Sequence, residues 1–182
     1  MIRRTALVLG LGAFLLLPVL PAHAAGPRGV ACRLDGKSTF KPGLTGTPST
    51  KVKYTFTGKL TNCQSSDSSL KTGKVVAYGV ATSPGLSCAG GTSKSTKSPT
   101  GVQPKITWNN GKYTYISFTT ASAGALVEVQ TTVTGGTESA LKKGDQGIAA
   151  LVFQTQTPQA CSTSAGLTSA SFSGVTGSGA AS

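Results

Sequence analysis

The chain has 182 residues, of which 17 are Lys or Arg, five are Asp or Glu and one is His, and its formal net charge is +12. Because the one histidine is His23, the rest of the chain cannot supply a Ser-His-Asp or Cys-His catalytic arrangement or a histidine-ligated zinc site. The large excess of basic residues instead favours an anionic partner.

The first 24 residues have the features of an export signal. Arg3 and Arg4 precede an apolar run from Ala6 to Leu20, and small residues at Ala22 and Ala24 suit signal peptidase. We therefore predict a signal peptide over residues 1–24, cleavage after Ala24 and a secreted protein. A membrane anchor is the alternative, but the apolar run is shorter than the roughly 20 residues that a spanning helix needs. We expect no transmembrane segment in the mature chain.

Beyond the signal, short strand-like runs alternate with clusters of Gly, Ser and Pro, and no long amphipathic helical stretch is visible. This pattern is typical of an all-β sandwich or barrel. We predict a single antiparallel β-sandwich of the immunoglobulin-like, Greek-key type, with about eight strands, over residues 25–175. A small, polar tail over residues 176–182 is predicted to be flexible. The predicted strands are 29–40, 51–60, 74–82, two arms of a hairpin within 106–118, 125–134, 148–154 and 167–175.

The predicted strand over residues 51–60 shows the clearest alternation of apolar and polar side chains. Tyr54 and Phe56 fall on one face, and Lys51, Lys53 and Lys59 fall on the other, so one face is buried and one is wet. Together with Lys74, at the start of the next strand, these lysines predict a surface that binds a polyanion such as an anionic cell-wall polymer or a nucleic acid. The alternative is that the lysines serve solubility and protect a sheet edge.

A hairpin is predicted around Asn109-Asn110-Gly111, with either a two-residue or a three-residue loop. We predict the three-residue loop, because it pairs Thr107 with Tyr113 and Lys105 with Tyr115, which places Trp108 on the apolar face. Tyr113 and Tyr115 then lie outside, beside Lys105, where they form a candidate glycan-binding surface. The alternative is that these rings only pack on a solvated strand face.

Four cysteines in an exported chain, Cys32, Cys63, Cys88 and Cys161, predict two disulfides. A four-cysteine metal site is the alternative, but it would bring its ligands in close pairs, and none is present. If consecutive strands alternate in direction, Cys32 and Cys63 fall at one end of the fold, and Cys88 and Cys161 at the other. Because a strand is ~17–20 Å long and a disulfide joins α-carbons ~4.4–6.8 Å apart, we predict the pairs Cys32–Cys63 and Cys88–Cys161. Lipid attachment at Cys32 is a further alternative, but this residue lies well beyond the apolar run.

Several short segments resemble those of small secreted actinobacterial proteins of unknown function. They are Thr-Trp-Asn-Asn-Gly at 107–111 with Tyr-Ile-Ser-Phe-Thr at 115–119, Cys-Ala-Gly-Gly at 88–91, and Leu-Thr-Ser-Ala-Ser-Phe-Ser-Gly at 167–174. The resemblance implies a β-sandwich and export, and it brings no functional residues with it.

We therefore expect an exported, non-enzymatic protein that binds an anionic polymer or a glycan, or that has a structural role in the cell envelope. No catalytic residue, cofactor or metal is predicted. The alternative is a secreted hydrolase with paired carboxylates, which the fold would have to assemble because the acids stand apart in the sequence. The five acids are Asp35, Asp67, Glu128, Glu138 and Asp145.

Overall fold

A computed structural model describes residues 29–180, so the predicted signal peptide lies outside the described residues. This part of the chain forms nine strands and one short 3₁₀ helix, Pro158–Ser162. The strands are β1 (Gly29–Leu44), β2 (Lys53–Ser65), β3 (Gly73–Ser87), β4 (Gly90–Thr96), β5 (Lys105–Trp108), β6 (Tyr113–Ala123), β7 (Leu126–Gly136), β8 (Gln146–Gln154) and β9 (Leu167–Gly179). Residues 29–180 contain no helix with the length and hydropathy that a bilayer crossing requires.

The strands close into a single antiparallel barrel, so the predicted Ig-like, Greek-key sandwich is wrong. Apart from β4 and β5, which do not pair with each other, each strand pairs with its neighbours in the chain, and β1 also pairs with β9, which closes the sheet. No Greek-key crossover is needed in this meander. Alternating side chains are expected for a sandwich and a barrel alike, because in both folds one face of every strand is buried.

β4 and β5 share one strand position of the barrel, which therefore has eight positions around its circumference. β5 pairs with the first part of β3 and β4 with its later part, and both pair with β6 on the other side. The predicted strands leave 83–105 without a strand, so β4 is missing from the prediction, because its Gly, Ser, Thr and Lys residues lack an apolar alternation. At the other end of the chain, β9 continues to Gly179, so residues 176–179 of the predicted tail are paired with both β1 and β8.

The barrel interior is built from the inward side chains of alternate residues. In β2, Tyr54, Phe56 and Leu60 point inward and Lys53 and Lys59 point outward, as predicted. Small inward residues make room for the rings. A Cβ at Gly79, for example, would collide with the ring of Tyr54 on the neighbouring strand.

The two ends of the barrel are closed differently. At the end where β1 begins, here called the Trp108 end, loop residues Leu70, Ala140 and Leu141 are buried beside Trp108. At the opposite end, here called the Cys88 end, a second apolar cluster forms. Its buried members are Leu44, Val52, Ala81, Leu86, Leu167 and Ala170.

The structure contains both predicted disulfides, Cys32–Cys63 near the Trp108 end and Cys88–Cys161 at the Cys88 end. A β-bulge positions the first, because Asn62 and Cys63 of β2 together oppose Cys32. Asn62 has φ of 51°, a left-handed conformation that Asn tolerates better than most residues. The predicted pairing survives the missed strand because β4 and β5 run in the same direction and leave the alternation of strand directions unchanged.

The hairpin between β5 and β6 has the predicted three-residue loop. Thr107 pairs with Tyr113 and Lys105 with Tyr115, and Gly111 has φ of 80°. Trp108 is accordingly buried, and Tyr113 and Tyr115 lie on the outer face.

Candidate functional site

The outer surface of β1–β5 carries seven lysines, and we call this surface the lysine face. Outward positions alternate along each strand, so the antiparallel register brings these lysines onto one continuous surface. The members are Lys37 and Lys41 of β1, Lys53 and Lys59 of β2, Lys74 of β3, Lys94 of β4 and Lys105 of β5. The predicted Lys51 is exposed just before β2, at the edge of this face.

Two pairs of lysines in this face lie directly opposite each other on neighbouring strands. Lys41 pairs with Lys53 in the β1–β2 register, and Lys59 pairs with Lys74 in the β2–β3 register. Like charges at facing positions of an antiparallel pair are destabilising. The folded barrel therefore holds positive charges together at a cost in stability.

No acid neutralises these pairs within the described residues. Asp35 lies opposite Lys59 in the register, but its carboxylate is 2.8 Å from the guanidinium of Arg33, and this is the one ion pair in residues 29–180. The hydrogen bond from Arg33 lowers the pKa of the Asp35 carboxyl; desolvation opposes this effect, and the charge of Arg33 adds to the lowering. The lysine face is thus free to attract an external anion.

The lysines that lie within strands are confined to one side of the barrel. The strands β6–β9 contain neither Lys nor Arg, and their outward positions carry mainly Ser, Thr, Gln, Tyr and aliphatic side chains. Lysines that served solubility alone would have no reason to avoid four of the described strands, because those strands also face solvent. The one-sided distribution favours a binding role.

The two candidate sites predicted from the sequence lie on the same surface. One row of facing residues crosses the sheet from Lys59 through Lys74 and Thr107 to Tyr113. Lys105 of the same face pairs with Tyr115. The Lys105 Nζ atom lies 5.8 Å from the centroid of the Tyr113 ring. The predicted polyanion-binding and glycan-binding residues therefore form one lysine- and tyrosine-bearing surface.

The two tyrosine rings do not form one flat platform. Their centroids are 5.0 Å apart, and the ring planes are inclined at 60°. Because Lys105 lies over Tyr113, a group that approaches this ring also meets a positive charge. The arrangement suits a sugar that carries an anionic group better than a neutral sugar chain stacked on two coplanar rings.

Two acids at the Trp108 end, Glu138 and Asp67, accept hydrogen bonds that support loops. Glu138 is buried and accepts hydrogen bonds from Asn110 Nδ2 at 3.0 Å and from the backbone N–H of Ala140 at 2.9 Å. Asp67 accepts a hydrogen bond from the backbone N–H of Ser69 at 2.9 Å.

The pKa of each of these carboxyls is shifted downward. Burial of Glu138 acts to raise its pKa, but the hydrogen bonds and the charge of Lys112 outweigh burial. The hydrogen bonds from Ser69 lower the pKa of Asp67, and Lys112 acts in the same direction. A general acid of a glycosidase needs a raised pKa, so the geometry gives the hydrolase hypothesis no support.

The sequence did not show that the β5–β6 hairpin loop holds two other loops in place at this end, an arrangement that we call the asparagine clamp. Asn109 Oδ1 accepts hydrogen bonds from the backbone N–H groups of Lys71 and Thr72, and its Nδ2 donates to the carbonyl of Ser69. Asn110 extends the clamp to Glu138. In the sequence, the adjacent Asn-Asn dipeptide indicates only a turn, because the loops that it binds are distant along the chain.

Residues 29–180 contain no group of three or more His, Cys, Asp or Glu side chains placed to hold a metal ion. All four cysteines are in disulfides. No protein-family model, curated protein or solved structure matches the chain. The resemblance to secreted actinobacterial proteins therefore stays a prediction.

Proposed function

We propose that this chain is an exported binding protein that holds an anionic polymer on its lysine face. The proposal rests on two facing lysine pairs, Lys41 with Lys53 and Lys59 with Lys74. No acid forms an ion pair with any of these four lysines. A polymer that places phosphate or carboxylate groups along these strands would relieve their repulsion and release its own counterions.

The tyrosines define the edge of the proposed site. Tyr113 and Tyr115 present partly exposed rings beside Lys105, so a repeat unit that combines a sugar with an anionic group matches the surface. Anionic cell-wall polymers have this composition. Export to the envelope, proposed from the signal-like N-terminus, would bring the protein to such a polymer, and the two disulfides are compatible with that location.

The proposal is tested by measuring how binding to inorganic polyphosphate depends on salt. We expect log Kd to rise linearly with the logarithm of the salt concentration, because each neutralised phosphate releases counterions. The triple variant Lys53→Gln, Lys59→Gln and Lys74→Gln should lower the slope by roughly one for each lysine that contacts a phosphate. Neutral dextran should not bind.

A matched control separates the lysine face from net charge. Lys71→Gln, Lys142→Gln and Lys143→Gln remove the same charge from loops at the Trp108 end, and this variant should keep the slope of the unmodified protein. Equal loss in both triple variants would mean that net charge alone drives retention. Binding of dextran as tight as that of polyphosphate would contradict the charge-based proposal and favour a neutral glycan.

A further inference from the structure

The barrel contains a cavity of about 250 Å³ that extends to the Cys88 end. Aromatic rings make up much of its wall. They belong to Phe40, Tyr54, Phe56, Phe118 and Phe153. The cavity exists because inward positions between these rings are occupied by small residues such as Ala77, Ala149 and Ala170. Barrels of eight strands have an interior just wide enough to be filled by side chains or to hold one small ligand.

No residue that lines the cavity carries a charge. Three hydroxyl groups of the lining form hydrogen bonds with one another. The Tyr54 hydroxyl lies 2.7 Å from Ser93 Oγ, which lies 2.6 Å from Thr120 Oγ1. Burial raises the pKa of Tyr54, and the two hydrogen bonds only partly oppose this effect, so the phenol stays neutral. An ionic ligand would find no countercharge here and would lose its hydration.

Ser38 is the exception among the buried lining hydroxyls. It is 0% exposed, and its Oγ is the one buried side-chain polar atom in residues 29–180 without a hydrogen-bond partner. Its neighbours across the two adjacent strands are Phe56 and Ala170, whose side chains offer no hydrogen bond. Buried polar groups in native proteins nearly always have a partner, and rotation of the Ser38 side chain toward a molecule in the cavity would give this hydroxyl the partner that the chain lacks.

We propose that the cavity binds an uncharged, mainly apolar small molecule whose single polar group, a hydroxyl or a carbonyl, forms a hydrogen bond with Ser38 Oγ. An engineered apolar cavity of about 150 Å³ binds benzene, so this larger cavity suits a ligand of roughly ten non-hydrogen atoms. A water molecule is a poorer occupant, because a buried water requires 2–4 polar partners. This site is independent of the lysine face, which lies on the outside of the barrel.

The test uses 2-naphthol and naphthalene as matched probes, which differ by one hydroxyl group. Leucine methyl groups are followed by NMR while each probe is titrated. Both probes should shift the methyl signals of the lining residues Leu34, Leu44, Leu151 and Leu167. The methyl signals of Leu126, which is 63% exposed on the outside, should not move. This measurement needs no variant, so it does not depend on whether a substituted protein folds.

Ser38→Ala then tests the hydrogen bond. We expect this variant to bind 2-naphthol about three- to tenfold more weakly, the usual effect of losing one hydrogen bond, and to bind naphthalene at least as tightly as before. Thr39→Ala, one residue away on the exposed face of β1, should leave both affinities unchanged. Comparing the two probes in each protein removes the effect of their different hydration.

Three outcomes would overturn the proposal. The first is that neither probe shifts the lining leucines up to its solubility limit. The second is that the shifts appear at Leu126 instead, which would indicate surface association. The third is that Ser38→Ala weakens both probes equally, since the hydroxyl would then act on packing rather than on a polar group of the ligand.

Discussion

The indole N–H of Trp108 donates a hydrogen bond of 2.9 Å to Thr114 Oγ1, between two inward residues of the β5–β6 hairpin. Both residues are buried, Trp108 at 3% exposure and Thr114 at 1%. This hydrogen bond satisfies the one polar group of the Trp108 ring inside an apolar cluster. It also ties the hairpin register to the packing of the Trp108 end.

Thr114→Val should therefore destabilise the protein although it changes the shape of the side chain very little. The indole N–H would be left buried without a partner, which costs about 1–3 kcal/mol. Urea unfolding measures the difference. Thr107→Val, on the exposed face of the same hairpin, is the control and should have little effect. Equal effects of the two substitutions would show that the hydrogen bond is not what matters.

Gly79→Ala should also destabilise the barrel, because the new methyl group would meet the Tyr54 ring. Overpacking of this kind costs about 1–3 kcal/mol. Thermal or urea unfolding checks the prediction, with Gly46→Ala as the control because a Cβ there meets nothing within 4 Å. A variant as stable as the parent would mean that Tyr54 can move away from β3 at little cost.

Stability should fall when the pH drops through the acid range. The folded-state pKa of Glu138 is lowered from its ordinary value of 4.5, so the ionised carboxylate favours folding. This contribution is complete above pH 4.5 and is lost as the pH falls through the lowered folded-state value. Asp67, lowered from 3.8, acts in the same direction at slightly lower pH.

Glu138→Gln tests this linkage by urea unfolding at several pH values between 7 and 3. The amide can accept only one of the two hydrogen bonds from Asn110 and Ala140, so the variant should be less stable at pH 7 by about 1–2 kcal/mol. The difference should shrink at low pH, where the native carboxyl is protonated. Glu128→Gln, on the outer face of β7, should follow the parent curve. A difference that stays constant with pH would assign the effect to packing instead.

Repulsion within the lysine face should be measurable as stability. Lys74→Gln removes the charge opposite Lys59, so we expect a gain of about 0.2–1 kcal/mol at low ionic strength. The gain should vanish in about 1 M salt, where the Debye length is roughly 3 Å. Lys143→Gln, in the loop between β7 and β8, should show a smaller gain. If salt has no effect on the difference, the two ammonium groups do not repel each other appreciably.

Export should leave a defined mass. Protein collected outside the producing cell should begin at Ala25 and should be lighter than the reduced chain by the four hydrogens lost in forming two disulfides. Mass spectrometry with and without reductant measures both features. Retention of residues 1–24, or a lipid on Cys32, would contradict the proposed route.

The amino-acid sequence determined those features that follow from local rules. Alternation along β2 assigned Tyr54 and Lys53 to opposite faces, because successive side chains of a strand point in opposite directions. The apolar pattern and Gly111 defined the hairpin register, since a slip by one residue would expose the apolar face. Alternating strand direction was sufficient to pair the cysteines, because a disulfide cannot span the length of a strand.

Only the tertiary structure decided that β1 meets β9 and closes a barrel. Alternation says which face of a strand is buried, but not which distant strand lies beside it. For the same reason the sequence could not show that the lysines and tyrosines share one outer face, or that Asp35 turns to Arg33 rather than to Lys59. The unpaired hydroxyl of Ser38 is the clearest case. Its lack of a partner is set by Phe56 and Ala170, which neighbouring strands bring to it from other parts of the chain.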